Sequence, residues 1–192
     1  MRPVLLVAVA LGAALAVPHR AAAEPQVSAR LNLGGGARFV DGGHKGLFDM
    51  GLRSEVLFGA PGDEHVRVGP ALDIRTATFR TIEAAAGGAL LLPTWRGYPI
   101  VLTVGAGWAA RRHAADSPIF VGTLAWGYRS YNFHGPYGFG LMGYVSARAD
   151  LGDPHGWEIV AGVEIDLEFL VALPVMGIRM LFQHGKPDEP EP

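Results

Sequence analysis

Residues 156–174 read GWEIVAGVEIDLEFLVALP, and within this stretch charged and apolar residues alternate one by one. Glu164, Asp166 and Glu168 are the charged members. The apolar positions around them are Val163, Ile165, Leu167 and Phe169. Because side chains of a β-strand point to opposite faces in turn, this pattern predicts a strand with carboxylates on one face and hydrocarbon on the other. Which face meets water is the question that the rest of the chain must answer.

The same period of two returns in eight blocks separated by short breaks rich in Gly, Pro, Asp and His. The blocks cover residues 26–40, 46–58, 66–76, 81–92, 98–111, 119–131, 137–150 and the stretch just quoted. Regular short strands with turn residues between them, and no helical period, predict an antiparallel sheet. Eight such strands suffice to close, so we predict an all-β fold: an eight-stranded antiparallel up-and-down β-barrel.

The two termini differ in composition from these blocks. Residues 1–23 combine Arg2, an apolar run over 4–17 and an A-x-A site at 21–23, which predicts a cleaved signal peptide. We expect a barrel domain over 24–171, an apolar segment over 172–185 and a disordered acidic tail over 186–192. Pro174 suits the first turn of a helix, so residues 174–183 are expected to form a short apolar helix, with a ninth strand as the alternative.

Within each block the charged residues occupy alternate positions of one parity, odd or even, and so fall on one face of the strand. Nearly all the basic ones are arginines. A lumen ion-pair network is therefore predicted, in which planar guanidinium groups bind carboxylates inside a narrow barrel. Its predicted members are Arg30, Asp49, Arg53, Glu55, Arg67, Asp73, Arg75, Glu83, Arg148, Glu164, Asp166 and Glu168. Arg111, Arg129 and Glu158 share the parity. The carboxylates of the quoted stretch are expected to pair with Arg30, Arg53 or Arg148.

The opposite parity is apolar, and aromatic residues gather near block ends. Aromatic girdles of this kind flank the hydrocarbon band of membrane barrels, and strands of about ten residues can cross a bilayer when tilted. In its signal peptide, periodicity and girdles, the chain over 26–170 resembles the small eight-stranded outer-membrane barrels of Gram-negative bacteria. The resemblance concerns architecture alone. It implies localisation in the outer membrane, with the lipid bilayer as partner.

An inverted arrangement is the alternative: an exported soluble, lipocalin-like barrel whose apolar face encloses a small apolar ligand. A third hypothesis is a lipid-modifying barrel enzyme, for which Ser117, His113 and Asp116 would supply the Ser–His–acid set. The remaining histidines have no metal-binding spacing, and no cofactor or metal is expected. Gly34-Gly35-Gly36 predicts a bulge or bend in the first strand.

Two of the 16 basic residues, Arg2 and Arg20, lie in the predicted signal peptide. The mature chain therefore has 14 basic residues against 18 Asp and Glu, and it is acidic. Nothing in this balance indicates a nucleic-acid partner. The absence of cysteine excludes disulfides and thiolate chemistry. Since an eight-stranded lumen is filled by its own side chains, we expect a non-enzymatic structural or accessory role in the cell envelope.

Overall fold

The computed structural model describes residues 25–60, 65–95, 97–112, 115–131, 138–153 and 156–167. It contains eight strands: β1 Gln26–Val40, β2 Gly43–Leu57, β3 Arg67–Ala77, β4 Thr81–Trp95, β5 Tyr98–Arg111, β6 Ser117–Tyr131, β7 Gly138–Asp150 and β8 Trp157–Asp166. The signal peptide, the helix predicted over 174–183, the apolar segment 172–185 and the acidic tail lie outside the described residues. Within those residues there is no helix long and apolar enough to cross a membrane.

The strands form one closed barrel in which each strand pairs with its neighbours in sequence and β1 pairs with β8. All eight pairings are antiparallel, which confirms the predicted up-and-down topology. Closure gives every strand two partners and leaves no free edge. We call the end of the barrel where β1 begins and β8 stops the terminal end, and the other the opposite end.

Turn chemistry sets the strand limits. Asp41 and Gly42 both have positive φ, 48° and 78°, as a two-residue type I′ hairpin turn requires. For this reason β2 begins at Gly43, three residues before the predicted start. The break between the third and fourth blocks is a tight turn in which Thr78 and Phe79 have φ of 50° and 56°.

The bulge expected at the three glycines of β1 is absent. Residues 34–36 keep an unbroken register with both β2 and β8. The register shift found in β4 lies between Leu92 and Trp95, next to Pro93, which has no N–H to give to a ladder. Gly36 is required for a different reason, because a Cβ there would lie 1.9 Å from the carbonyl oxygen of Ile159. Strand β8 thus approaches too closely for any side chain at this inward position.

The two faces of the wall differ completely. None of the outward positions that the structure describes along the eight strands carries Asp, Glu, Lys or Arg. Large apolar side chains stand exposed there, among them Leu72 at 42%, Leu124 at 46% and Val145 at 50%. The described inward side chains are buried except near the opposite end, and they carry the charge of the strands. Arg53 and Glu164 are 1% and 0% exposed, while their outward neighbour Leu52 is 39% exposed.

Candidate functional site: the charged lumen

Charged side chains fill the barrel interior. Six arginines and eight carboxylates of the described chain are buried: Arg30, Arg53, Arg67, Arg75, Arg129, Arg148, Asp49, Glu55, Asp73, Glu83, Asp150, Glu158, Glu164 and Asp166. Strand alternation places them there, since each occupies the inward parity of its strand. Arg38 and Arg111 are less buried and reach the same set from the opposite end, where both contact Asp150. The described lumen therefore holds eight arginines and eight carboxylates in balance.

The first group of ion pairs is centred on Glu55 and Glu164. Arg30 lies 2.8 Å from Glu55 and 3.2 Å from Glu164, through its two terminal nitrogens. Arg53 and Arg129 bind the remaining oxygens, Arg53 on Glu164 and Arg129 on Glu55. Three guanidinium groups from β1, β2 and β6 thus share two carboxylates from β2 and β8. Each of these carboxylates is bridged by two arginines, which compensates for its removal from water.

The second group is centred on Asp73 and Glu83. Asp73 accepts from Arg53 Nη2 at 2.7 Å through one oxygen and from Arg148 at 2.8 Å through the other. Glu83 Oε2 accepts from Arg75 Nε at 2.7 Å and from Arg148 Nη1 at 3.1 Å. Because Arg53 belongs to both groups, the two are one continuous network.

Arg75 extends the network to two further carboxylates. Its Nη1 donates to Asp49 at 2.8 Å, and its Nη2 binds Glu158 on β8. The hydroxyl of Tyr144 donates to the other oxygen of Asp49 at 2.7 Å. The Arg53 guanidinium lies 5.8 Å from the ring centroid of Tyr144, within the range of a cation–π contact. The Tyr144 side chain therefore contacts both Arg53 and the Asp49 carboxylate that pairs with Arg75.

Apolar side chains close the lumen towards the terminal end. Leu57, Leu91 and Val101 are each at most 1% exposed and belong to one buried cluster. Leu57 is the last residue of β2, and Leu91 and Val101 pair with each other near the terminal end of β4 and β5. Beside them Arg67 donates to Gln26 at 3.2 Å. Charged side chains thus occupy the middle of the described lumen, and hydrocarbon occupies its terminal end. The inverted arrangement, with apolar residues inside and charges in water, is wrong.

Eleven of the predicted network residues lie in the described chain and are all buried, whereas Glu168 lies outside the described residues. Glu164 binds Arg30 and Arg53, two of the three partners named for it. Arg148, the third, binds Asp73 and Glu83 instead. Sequence reasoning missed Arg38, Tyr144 and Asp150. Each shares the inward parity of its strand, so the parity rule would have found them had it been applied to tyrosine and to strand ends.

The described residues offer little for other chemistry. No three His, Cys, Asp or Glu among them could hold a metal ion. His44 and His65 are exposed, and Ser117 is buried at 6%. His113 lies outside the described residues, so the Ser117–His113 hypothesis stays a prediction. Comparison of the chain with protein-family models, with curated proteins and with solved structures found no match.

Proposed function

We propose that this protein is an outer-membrane β-barrel with a non-enzymatic structural or accessory role in the cell envelope. One observation carries the proposal: a closed wall whose described outward strand positions hold no Asp, Glu, Lys or Arg, around a core of ion pairs. In water, such a wall would expose apolar surface over its whole circumference, far beyond the few hundred Å² common on soluble monomers. In hydrocarbon the same wall is the favourable surface.

The aromatic residues support a bilayer position. At the terminal end Tyr98 contacts Trp95, Trp126 and Tyr128, with ring centroids 5.8 to 6.3 Å apart. At the opposite end Phe39 stacks on Trp157 at 4.0 Å. Two aromatic belts flanking an apolar band are typical of membrane barrels, because amphipathic rings favour the interface. The predicted signal peptide over 1–23 fits export to that membrane.

The packed lumen supports the structural role. Below the opposite end, the gap bordered by Arg148, Asp150 and Glu158 has a volume of only about 10 Å³, enough for about one water molecule. General diffusion of solutes through such a lumen is not expected. The connections between the strands span at most nine residues, which argues against a large adhesive surface on them. A structural role as a stable barrel in the outer membrane is the function that this geometry supports best.

Two experiments test the location: fractionation, and cysteine labelling, which is possible because the chain has no cysteine of its own. In the fractionation we expect the protein in the membrane fraction after a carbonate wash and its release by detergent. Recovery in the periplasm or medium without detergent would refute the proposal.

Three single variants then define the topology. In Leu72→Cys the thiol faces hydrocarbon and should resist a membrane-impermeant maleimide until detergent is added. Ala115→Cys, in the turn between β5 and β6, should react in intact cells. Ala60→Cys, an exposed residue at the terminal end, should react only after the outer membrane is permeabilised. Equal reactivity of all three in intact cells would contradict a membrane position.

A further inference from the structure

The lumen opens at the opposite end into a cavity of about 440 Å³. Its lining is basic: Arg38, His44, Lys45, Arg80 and Arg111, together with Val40, Gly43 and Thr81. None of these lining residues carries a carboxylate. The volume is in the usual range for small-molecule sites. We call this cavity the basic mouth.

Charge balance ends at the basic mouth. Arg111 and Arg38 form its floor, where they lie 2.5 Å and 3.7 Å from Asp150. Arg38 also lies 3.8 Å from Glu158. Above them Lys45 and Arg80 are exposed, and no ion pair links either one to a carboxylate of the described chain. The eight lumen carboxylates balance the eight arginines, Arg38 and Arg111 included, so the excess positive charge of the mouth is that of Lys45 and Arg80.

The strand register brings these cations together. Arg38 and Lys45 are directly opposite each other in the β1–β2 ladder. Arg80 precedes Thr81, which pairs with Arg111 in the β4–β5 ladder. Like charges placed opposite each other destabilise a sheet. An anion bound between them would offset that repulsion, and low-dielectric walls would strengthen its attraction to the cavity.

We propose that the basic mouth binds a phosphate group, carried by a free phosphate or small phosphomonoester or by a lipid headgroup. A phosphate monoester carries up to two negative charges near pH 7 and offers several acceptor oxygens. The planar forks of Arg38, Arg80 and Arg111 match that geometry, and Lys45 adds a point charge. The cavity is large enough for a phosphorylated sugar as well as for the ion. This binding site goes beyond the structural role and does not depend on it.

Calorimetry on the detergent-solubilised full chain tests the proposal, in a maltoside detergent and a buffer free of phosphate. The probes are inorganic phosphate, glucose 6-phosphate and dihexanoyl phosphatidic acid below its micellar concentration. The test variant is the double substitution Lys45→Gln/Arg80→Gln. Arg112→Gln is the matched control, because Arg112 is exposed at the same end but does not line the cavity.

We expect at least one probe to bind with a dissociation constant of millimolar or below. The double variant should weaken that binding at least tenfold and the control less than twofold. Tighter binding of glucose 6-phosphate identifies a soluble ligand, and tighter binding of the phosphatidic acid identifies a lipid headgroup; either supports the site. Absence of binding by all three probes, or equal affinity in the double variant, overturns it. Fractionation of the same double variant tests the membrane location independently of phosphate binding.

Discussion

An arginine placed at mid-height on the outer wall should be costly only if that wall faces hydrocarbon. Leu124 is the central residue of β6, 46% exposed, and is flanked in the ladders by Leu102 and Val145. On the lipid face of a membrane barrel, Arg at the midplane costs about 2–4 kcal/mol, and near the interface about 0–1 kcal/mol. Leu124→Arg should therefore destabilise the folded protein by about 2–4 kcal/mol.

Leu151 supplies the matched control. It follows the end of β7 at the opposite end of the barrel and is 60% exposed. Leu151→Arg introduces the same charge at the interface, where we expect a cost of about 0–1 kcal/mol. A difference of about 2–3 kcal/mol between the two variants corresponds to roughly 30- to 150-fold in the unfolding equilibrium constant.

Urea-dependent unfolding in phosphatidylcholine vesicles, followed by tryptophan fluorescence, measures both free energies. In a barrel surrounded by water, both substitutions are exposed surface changes and should stay within about 0.5 kcal/mol of the unsubstituted protein. Equal costs for Leu124→Arg and Leu151→Arg would refute the assignment of the outer wall to lipid.

The same unfolding assay checks two predictions about the interior. Gly36→Ala forces a Cβ against the β8 backbone, at 1.9 Å, and should cost about 1–3 kcal/mol. At the adjacent Gly35 the closest atom to a Cβ is 3.7 Å away, so Gly35→Ala should be neutral or slightly stabilising. Equal effects of the two substitutions would contradict the close approach of the strands. Glu164→Gln leaves two buried arginines short of a partner and should cost about 3–5 kcal/mol. The exposed Asp116→Asn should cost below about 1 kcal/mol, and a similarly small cost for Glu164→Gln would show that the network adds little stability.

Parity is the part of this fold that the sequence determines most directly. A strand has only two faces, so the alternation around Glu164 was enough to place its carboxylate on the same side as Arg53 in β2. The height of a side chain along the barrel axis and its position around the circumference are harder to predict. Both depend on how the strand register shifts around the closed barrel. The pairing of Arg148 with Asp73 rather than with Glu164 follows from that shift, which no local pattern encodes.

Glycine gave the wrong local signal in β1. Glycine inside a strand often marks a bulge or a bend, and the sequence predicted one at residues 34–36. The actual reason for Gly36 is the approach of Ile159 from the neighbouring strand. That contact joins β1 to β8, at opposite ends of the barrel sequence, so it becomes visible only when the sheet is closed.

The ion pairs also constrain how the barrel folds. Arg129 on β6 binds Glu55 on β2, and Arg75 on β3 binds Glu158 on β8, so these pairs join strands that are not neighbours in the sheet. An incomplete, open sheet could satisfy its backbone ladders strand by strand, but these cross-lumen ion pairs would not form in it. Closure therefore satisfies the last backbone edge and the cross-lumen charges in the same event. We expect assembly to be cooperative, with loss of β8 removing one carboxylate partner each from Arg53 and Arg75, as well as two backbone ladders.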